Sequence, residues 1–218
     1  MSKAENLENV ALTIGAVGWF FDVQPNPSFY RNSAKKTRRL VYSKLDNTMT
    51  VAVLDVYYRK EGASAACVLA DSWAAPAPSS TYVQFIEKVE PYEPGSFYRR
   101  ELPCLMAVLR LLPETPDVVV VDGYVWLPPL GRSGLGAYLY EALGKATPVI
   151  GIAKSSFAGT EACAFVIPVH RGMSKRPLYI TAAGIGVESA AQWVLGMAGE
   201  YRIPKLARIA DQLARGKP

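Results

Sequence analysis

Two aspartates stand where an apolar strand would not ordinarily carry a charge. Asp55 lies between Leu54 and Val56 in a β-branched run, and Asp122 directly follows four consecutive valines. A buried carboxylate is costly unless a cation or a metal ion pairs with it. If the two runs form neighbouring strands, both carboxylates can share one hard divalent cation, with Mg²⁺ the first candidate and Mn²⁺ the alternative. Such an ion assists the hydrolysis of phosphate esters.

Two further polar residues extend this constellation. Lys154 ends another apolar run, and Glu101 lies on a helix predicted between the two aspartates. Glu101 is a candidate third ligand because Mg²⁺ prefers oxygen donors, and Lys154 is suited to stabilising charge on a phosphate. The spacing is equally compatible with an alternative in which Asp55 and Asp122 cap helices or form ion pairs with Lys154.

The residue types present exclude several other kinds of active site. His170 is the single histidine, so mechanisms that need two histidines, including those of the His-rich zinc hydrolases, are excluded. The chain has no G-x-S-x-G motif of a serine hydrolase. The cysteine spacing fits neither a zinc knuckle nor a disulfide framework, and we predict that Cys67, Cys104 and Cys163 are core residues. We interpret His170 as a loop residue.

The overall composition is typical of one globular domain with a basic surface. The chain has 218 residues, of which 50% are hydrophobic and 20% charged, and this balance argues against a disordered protein. Its net charge of +5 mildly favours a polyanionic partner such as DNA or RNA. A basic cluster ahead of the first predicted strand either contacts phosphates or forms a solvated helix face. Its members are Arg31, Lys35, Lys36, Arg38, Arg39 and Lys44.

No apolar run reaches the roughly 18 residues that a membrane-spanning helix needs. The longest candidate, residues 10–23, contains two glycines and Asp22, and it lacks the basic start and cleavage site of a signal peptide. We therefore expect a cytoplasmic protein that does not bind a membrane, and we expect it to be a monomer.

The candidate site depends on a sheet for its geometry. β-branched and aromatic residues predict three successive strands, over residues 50–58, 63–70 and 82–89. Helical spacing of apolar residues predicts a helix over residues 97–112. Strands and helices then alternate, at 117–123, 135–143, 148–154, 178–182, 188–197 and after residue 204. This order predicts an α/β (α+β) fold with a mixed central β-sheet flanked by helices.

Five segments, in order along the chain, carry a family resemblance. They are Leu54-Asp55-Val56, Pro91-Tyr92-Glu93-Pro94-Gly95 with Tyr98-Arg99-Arg100-Glu101, residues 116–123, residues 148–154, and residues 187–194 with 201–204. Together they resemble the endonuclease V family, the deoxyinosine-directed endonucleases with an RNase H-like fold. We assign residues 1–49 to an N-terminal extension with a basic helix and residues 50–218 to an RNase H-like endonuclease V domain.

The resemblance implies a role for each candidate residue. Asp55, Glu101 and Asp122 would bind the metal ion, with Glu188 at a fourth acidic position, and Lys154 would stand near the scissile phosphate. The segment from Pro91 to Pro94 would be the wedge that separates the strands at a lesion, with Tyr92 stacking where the bases part. Gly95 and Gly123 would let backbone groups approach a flipped base, and Tyr124 would line its pocket.

The chain departs from the family pattern at several positions. Two histidines of the family are replaced, one by Tyr124 and the other by Ala183. The segment after Tyr124 is apolar, with Trp126, where the family is more polar. The fourth acidic position is Glu188 in place of the more usual aspartate. Loss of a polar group around a metal site commonly costs about tenfold to hundredfold in affinity or activity.

Three functional hypotheses follow from these features. The leading one is a metal-dependent endonuclease that acts in DNA repair, nicking DNA or RNA on the 3′ side of a deaminated base such as deoxyinosine or inosine. The second is a nucleic-acid-binding protein of the same fold in which catalysis is weakened or lost. The third is a nuclease of altered specificity for structured or single-stranded nucleic acid.

Overall fold

The computed structural model describes residues 49–217 of the chain. The apolar run at residues 10–23 and the basic cluster at residues 31–44 lie outside the described residues. The described part forms a seven-stranded mixed sheet with helices on both faces, together with a separate two-stranded hairpin.

The first three strands form the antiparallel meander that the sequence predicts. They are β1 (Val51–Arg59), β2 (Gly62–Ala70) and β3 (Ser80–Ile86). The turn between β1 and β2 requires glycine, because Gly62 has a φ of +143° and a Cβ there would lie 2.1 Å from the carbonyl oxygen of Ile86. The predicted end of β3 at residue 89 is wrong, since β3 ends at Ile86, opposite Ala63 and one residue short of the start of β2.

Helix α1 (Phe97–Leu109) returns the chain to the amino end of β1. β4 (Val118–Asp122) can therefore pair with β1 in the parallel direction, with Leu54 opposite Val121. This pairing places the charged end of β4 beside the middle of β1, where the sequence predicts the candidate site.

A hairpin and a helix connect β4 to the next parallel strand. The hairpin consists of β5 (Trp126–Leu127) and β6 (Arg132–Ser133), and it leads into α2 (Leu135–Ala142). β7 (Val149–Ala153) then pairs in parallel with β4. The carboxyl ends of β4 and β7 consequently lie side by side.

The rest of the chain completes the sheet and covers one of its faces. β8 (Ile167–Val169) and β9 (Leu178–Ala183) pair with each other, and β9 runs antiparallel to β7. The chain then forms α3 (Val187–Gly196) and α4 (Lys205–Ala214). The order of the strands across the sheet is β3-β2-β1-β4-β7-β9-β8.

Both faces of the sheet are buried by helices. Since successive side chains of a strand point to opposite faces, Leu54 and Val121 face the core formed with α1 and α2, whereas Val53 and Val120 face the core formed with α3 and α4. Double-sided burial explains why β4 and β7 read as continuous apolar runs.

Most of the predicted secondary structure is confirmed, with a few short elements missed. The long strands and helices lie where predicted, but β5, β6 and β8 have only two or three residues each and carry no periodicity to detect. Cys67, Cys104 and Cys163 are buried and free, as expected of core residues. His170 is an exposed loop residue after β8. None of the described helices has the length and apolar character to cross a membrane.

Candidate active site

Asp55 and Asp122 lie next to each other at the carboxyl end of β4. Because Leu54 pairs with Val121, the two aspartates occupy the next positions on neighbouring parallel strands, which lie about 4.8 Å apart. Alternation puts both side chains on the face that α4 covers, and both line one cleft with Ala207 of α4. The predicted adjacency of these two strands is therefore confirmed.

Lys154 lies in the same cleft, directly after β7. Its Nζ donates a hydrogen bond to Oδ2 of Asp122 at 2.5 Å. The guanidinium of Arg202 donates to the carbonyl oxygens of Lys154 and Pro177 and fixes the backbone here. Burial acts to lower the pKa of Lys154, but the negative charges of Asp122 and Asp55 outweigh it and raise that pKa. Lys154 is therefore protonated at neutral pH.

Glu101 approaches the two aspartates from the other face of the sheet. Its side chain, on α1, is only 5% exposed, and its Oε2 is buried without a hydrogen-bond partner. Burial, reinforced by the charges of Asp122 and Asp55, raises the pKa of Glu101 to about 8. The three carboxyl groups thus interact across the carboxyl end of β4.

The surroundings of Asp55 also disfavour the ionised form of its carboxyl group. Burial, followed by the charge of Asp122, raises the pKa of Asp55 to about 6. The backbone N–H of Val56, which donates to Asp55 Oδ1 at 2.8 Å, and the charge of Lys154 act in the opposite direction. The cluster therefore has more negative charge than Lys154 neutralises, and a further cation would relieve the repulsion.

Asp211 is an acidic residue near the cleft that sequence reasoning missed. Its charge contributes to raising the pKa of both Asp55 and Lys154, and its Oδ1 accepts a hydrogen bond from Arg215 Nε at 2.8 Å. Asp211 lies one helical turn after Ala207, which lines the cleft. No pattern in the neighbouring residues of α4 marks Asp211 as part of the site.

Glu188 does not join the other carboxylates. Ala183, at the end of β9, pairs with Val149 at the start of β7, so the following helix α3 begins at the amino end of β7. Lys154 follows the opposite end of that strand. Glu188 is exposed in the first turn of α3, and its role as a metal ligand stays a prediction.

The segment predicted to be the wedge is an exposed turn. Tyr92 is 61% exposed, and the remaining residues of Pro91-Tyr92-Glu93-Pro94-Gly95 are exposed as well. The turn closes with the N–H of Ser96 donating to the carbonyl oxygen of Glu93 at 3.0 Å. Gly95 has a φ of +81° with open space where a Cβ would lie. Glu93 also pairs with Arg99 at 3.5 Å, which ties the turn to α1.

Gly123 and Tyr124 differ sharply in accessibility. At Gly123, φ is +126° and nothing lies within 4 Å of where a Cβ would be, so the space beside its Cα is open, while its N–H donates to the carbonyl oxygen of Ile152 at 3.1 Å. Tyr124 is only 8% exposed, and its hydroxyl donates to the carbonyl oxygen of Ser155 at 3.0 Å. Its ring packs edge-on against Phe157. A contact between the Tyr124 side chain and a base stays a prediction.

Comparison with protein families agrees with this arrangement. The family model for Endonuclease V matches residues 33–212, which include all four polar residues of the cluster. The chain belongs to the endonuclease V family. Membership makes it a nuclease that hydrolyses phosphodiester bonds in nucleic acid, with an RNase H-like fold.

Two curated members of the endonuclease V family show the extent of the similarity. Endonuclease V from Xanthomonas campestris pv. campestris (strain B100) is 33% identical, and the match covers 75% of this chain and 76% of that protein. Endonuclease V from Streptomyces coelicolor is 32% identical, with 77% and 78% covered. The similarity thus spans most of both chains.

Solved endonuclease V structures share the fold. Endonuclease V from Streptomyces avermitilis has a TM-score of 0.63 at 26% identity, covering 87% of this chain and 93% of that one. The Ciona intestinalis enzyme, in complex with a DNA containing an inosine followed by a ribo-adenosine, has a TM-score of 0.67 at 20% identity, covering 84% and 94%.

The two positions at which the sequence resemblance predicts replaced histidines are filled by packed side chains. Tyr124 and Ala183 are 8% and 5% exposed. Next to them, Trp126 Nε1 donates to the carbonyl oxygen of Ala182 at 2.8 Å, and the N–H of Val125 donates to Thr181 Oγ1 at 2.7 Å. This chain therefore has an apolar, hydrogen-bonded wall at these positions.

The three carboxyl groups have the donor chemistry that a divalent cation requires, but their side chains are not arranged around a common point. Within residues 49–217, no group of three or more His, Cys, Asp or Glu side chains is arranged to hold a metal ion. Asp55 and Asp122 point to one face of the sheet, Glu101 approaches from the other, and Lys154 already engages Asp122. The donor chemistry does fit a hard cation, because the ligands would be carboxylate oxygens and Glu101 Oε2 is buried and unpaired.

Proposed function

We propose that this endonuclease V family member is a divalent-metal-dependent endonuclease that nicks nucleic acid beside a deaminated base. Its substrate is deoxyinosine in DNA or inosine in RNA, and its cellular role is repair. Water attacks phosphorus directly, leaving 3′-hydroxyl and 5′-phosphate ends, at a phosphodiester on the 3′ side of the altered base. The inosine-containing DNA bound by the Ciona intestinalis relative supports this choice of base.

The main support for this proposal is the carboxyl group of Glu101, which is buried with its Oε2 unpaired and interacts with Asp55 and Asp122 beside a cationic lysine. Clusters of groups with strongly shifted pKa values are typical of functional sites. A protein that only bound nucleic acid would gain nothing from three carboxyl groups facing phosphates. The arrangement therefore favours phosphodiester hydrolysis over binding alone.

Asp55, Asp122 and Glu101 are the residues that would hold the cation, with Mg²⁺ as the first candidate and Mn²⁺ as the alternative. When bound, the ion lowers the pKa of an attacking water and stabilises charge on the phosphate oxygens. Its charge also favours the ionised form of Glu101, whose pKa is raised to about 8 without it. The carboxyl groups would then be stable as anions.

Lys154 would act on the phosphate. Its ammonium donates to Asp122, and it would also be able to donate to a phosphate oxygen of a bound strand. A protonated lysine in a partly closed cleft stabilises the negative charge that develops on phosphorus. The hydrogen bonds from Arg202 to the backbone hold Lys154 at the cleft.

Recognition of the base would fall to the exposed turn and to Gly123. Tyr92 is free to stack where a base has left the helix, and flanking prolines stiffen it. Flipping costs a few kcal/mol and least for a mispaired base. The open space left by the missing Cβ at Gly123 would then receive the edge of the flipped base.

The proposal is tested by a nicking assay. End-labelled duplex and single-stranded DNA with one deoxyinosine, and RNA with one inosine, are incubated in Mg²⁺, Mn²⁺ or EDTA. We expect metal-dependent cutting beside the altered base that Asp122→Asn abolishes. Asp71→Asn is the matched control, because Asp71 is an exposed aspartate just after β2 and takes no part in the cluster.

Each alternative predicts a different pattern in the same assay. Binding without cutting in any metal would favour the nucleic-acid-binding protein. Cutting of branched or single-stranded molecules that lack inosine would favour altered specificity. A covalent enzyme–DNA intermediate would contradict direct attack by water.

A further inference from the structure

A row of side chains leads away from the cleft along β1. The regular pairing of β1 with β2 keeps Asp55, Tyr57 and Arg59 on one face of the strand. α4 runs beside this row and contributes Asp211 and, at its C-terminal end, Arg215. The row therefore passes from acidic residues at the cleft to basic residues at the far end of β1.

Two guanidinium groups lie against the ring of Tyr57. The Cζ atoms of Arg59 and Arg215 are 5.3 Å and 4.7 Å from the ring centroid. Arg215 Nε also donates to Asp211, and Arg59 Nη2 donates to the carbonyl oxygen of Ala214 at 3.4 Å. Both arginines are nevertheless exposed. We call Tyr57, Arg59 and Arg215 the arginine clamp.

The arginine clamp has a net positive charge. Lys60 and Lys217 follow the two arginines in the chain and are exposed. The acidic residues beside the clamp are Glu61, in the turn after β1, and Asp211, whose charge is already paired with Arg215. Arginine presents a planar set of donors that matches phosphate oxygens, and a ring that holds it leaves less freedom to lose on binding.

We propose that the arginine clamp binds backbone phosphates of the strand that the cleft cuts, an inference that rests on the proposed function. Two to four residues along a strand span about 7–13 Å, which sets the distance from Asp55 to the clamp. A nucleic-acid strand carries one charge per about 3.4 Å of helix axis. The clamp, at about 7–13 Å from Asp55, therefore lies within reach of phosphates a few nucleotides from the scissile one.

The test measures binding and does not require cleavage. Fluorescence anisotropy gives the Kd of a labelled, inosine-free DNA duplex over a range of salt concentrations at fixed Mg²⁺. Each phosphate contact contributes about 0.9 to the slope of log K against log salt. We expect Arg59→Gln and Arg215→Gln each to reduce the slope by about 0.9, and the double variant by about 1.8.

Two controls separate the arginine clamp from general charge and from folding. Arg110→Gln also removes an exposed positive charge, at the end of α1 that points away from the cleft, and it should leave the slope unchanged. Tyr57→Leu keeps both charges but removes the ring, and it should weaken binding several-fold, whereas Tyr57→Phe should not. Thermal melts check that each variant is folded.

The outcomes distinguish this inference from the proposed function. If Arg59→Gln and Arg215→Gln keep the wild-type slope, or if Arg110→Gln lowers it as much, the arginine clamp does not bind phosphates. The wild-type protein is assayed in parallel for nicking of deoxyinosine DNA. A failure to nick refutes the proposed function, while the slopes still decide whether the clamp contacts the backbone.

Discussion

Asp55 and Asp122 line the cleft and Glu101 approaches them from the other face of the sheet. The three residues come from separate elements, and burial and mutual repulsion raise the pKa of Asp55 and Glu101. In the turn, five consecutive residues from Pro91 to Gly95 lie in solvent and make few contacts with the rest of the chain. The cleft is thus built by tertiary packing at a cost in electrostatic energy, and the turn by local chain geometry.

The cleft and the turn should therefore respond differently to substitution. Changes at the cleft and at Glu101 should alter chemistry and the dependence of stability on pH, because these charged groups interact and because Glu101 is buried and Asp55 half-buried. Changes in the turn should alter recognition of the substrate and leave stability nearly unchanged, because exposed side chains away from special backbone positions rarely matter to folding.

The largest expected effect is at Lys154. Lys154→Met removes the ammonium group that donates to Asp122. We expect kcat to fall at least about 100-fold, as for loss of one donor to a developing oxyanion. Binding of substrate should weaken far less. Lys145→Met, at an exposed lysine paired with Glu141, is the matched control. Unchanged kcat in Lys154→Met, measured by single-turnover nicking, would mean that this lysine only neutralises Asp122.

The next effect concerns the stability of the metal-free protein. The pKa of Glu101 is raised from 4.5 in the unfolded chain to about 8 in the folded protein. The folded state therefore binds the proton of the Glu101 carboxyl group more tightly than the unfolded state does. The stability that protonated Glu101 contributes is full below pH 4.5 and is lost as the pH rises through 8. Between pH 6.5 and 8.5 this loss is about 2 kcal/mol.

Glu101→Gln should abolish that loss. Urea unfolding in EDTA at pH 6.5 and 8.5 measures the difference for both proteins, and this window lies above the pKa of Asp55, which is about 6. Mg²⁺ should restore the stability of the wild-type protein at pH 8.5 more than that of the variant, since binding to the folded state stabilises it. Equal pH dependence of stability in the two proteins would show that folding does not raise the pKa of Glu101.

The smallest expected effect is in the turn. Tyr92→Ala removes a stacking surface worth about 1–3 kcal/mol per base, and we expect the Kd for deoxyinosine DNA to rise about tenfold. The free energy of unfolding should stay within about 0.5 kcal/mol of the wild-type value. Tyr92→Phe, which keeps the ring, is the control. An equal loss of affinity for inosine-free DNA would assign Tyr92 to general binding.

The sequence predicted most of the strands and helices that position the site. The β-branched run around Asp55 and the four valines before Asp122 correctly predicted two strands, because backbone preference and burial act locally along each run. The residue types of the Pro-Tyr-Glu-Pro-Gly segment favour the turn that it forms, since proline fixes φ and glycine accepts a positive one. The lack of a second histidine in the chain was sufficient to exclude metal chemistry that needs two histidines.

Other features of the site depended on contacts between distant residues. Glu188 was predicted to join the carboxylates, yet β9 runs antiparallel to β7 and delivers α3 to the opposite end of the sheet. Asp211 lies near the cleft, although nothing in its neighbours along the chain points to Asp55. The direction of a strand is set by its pairing and not by its own residues.

By itself, then, the sequence determined which residues form strands and helices and which residues carry charge, because these are properties of short stretches of chain. Tertiary structure alone decided that Glu101 faces Asp55 and Asp122 from across the sheet and that Lys154 lies on Asp122. It also decided that Tyr124 is buried and that Arg59 and Arg215 share one ring. Distances and burial between remote residues follow from how strands pair and helices pack, which no local pattern records.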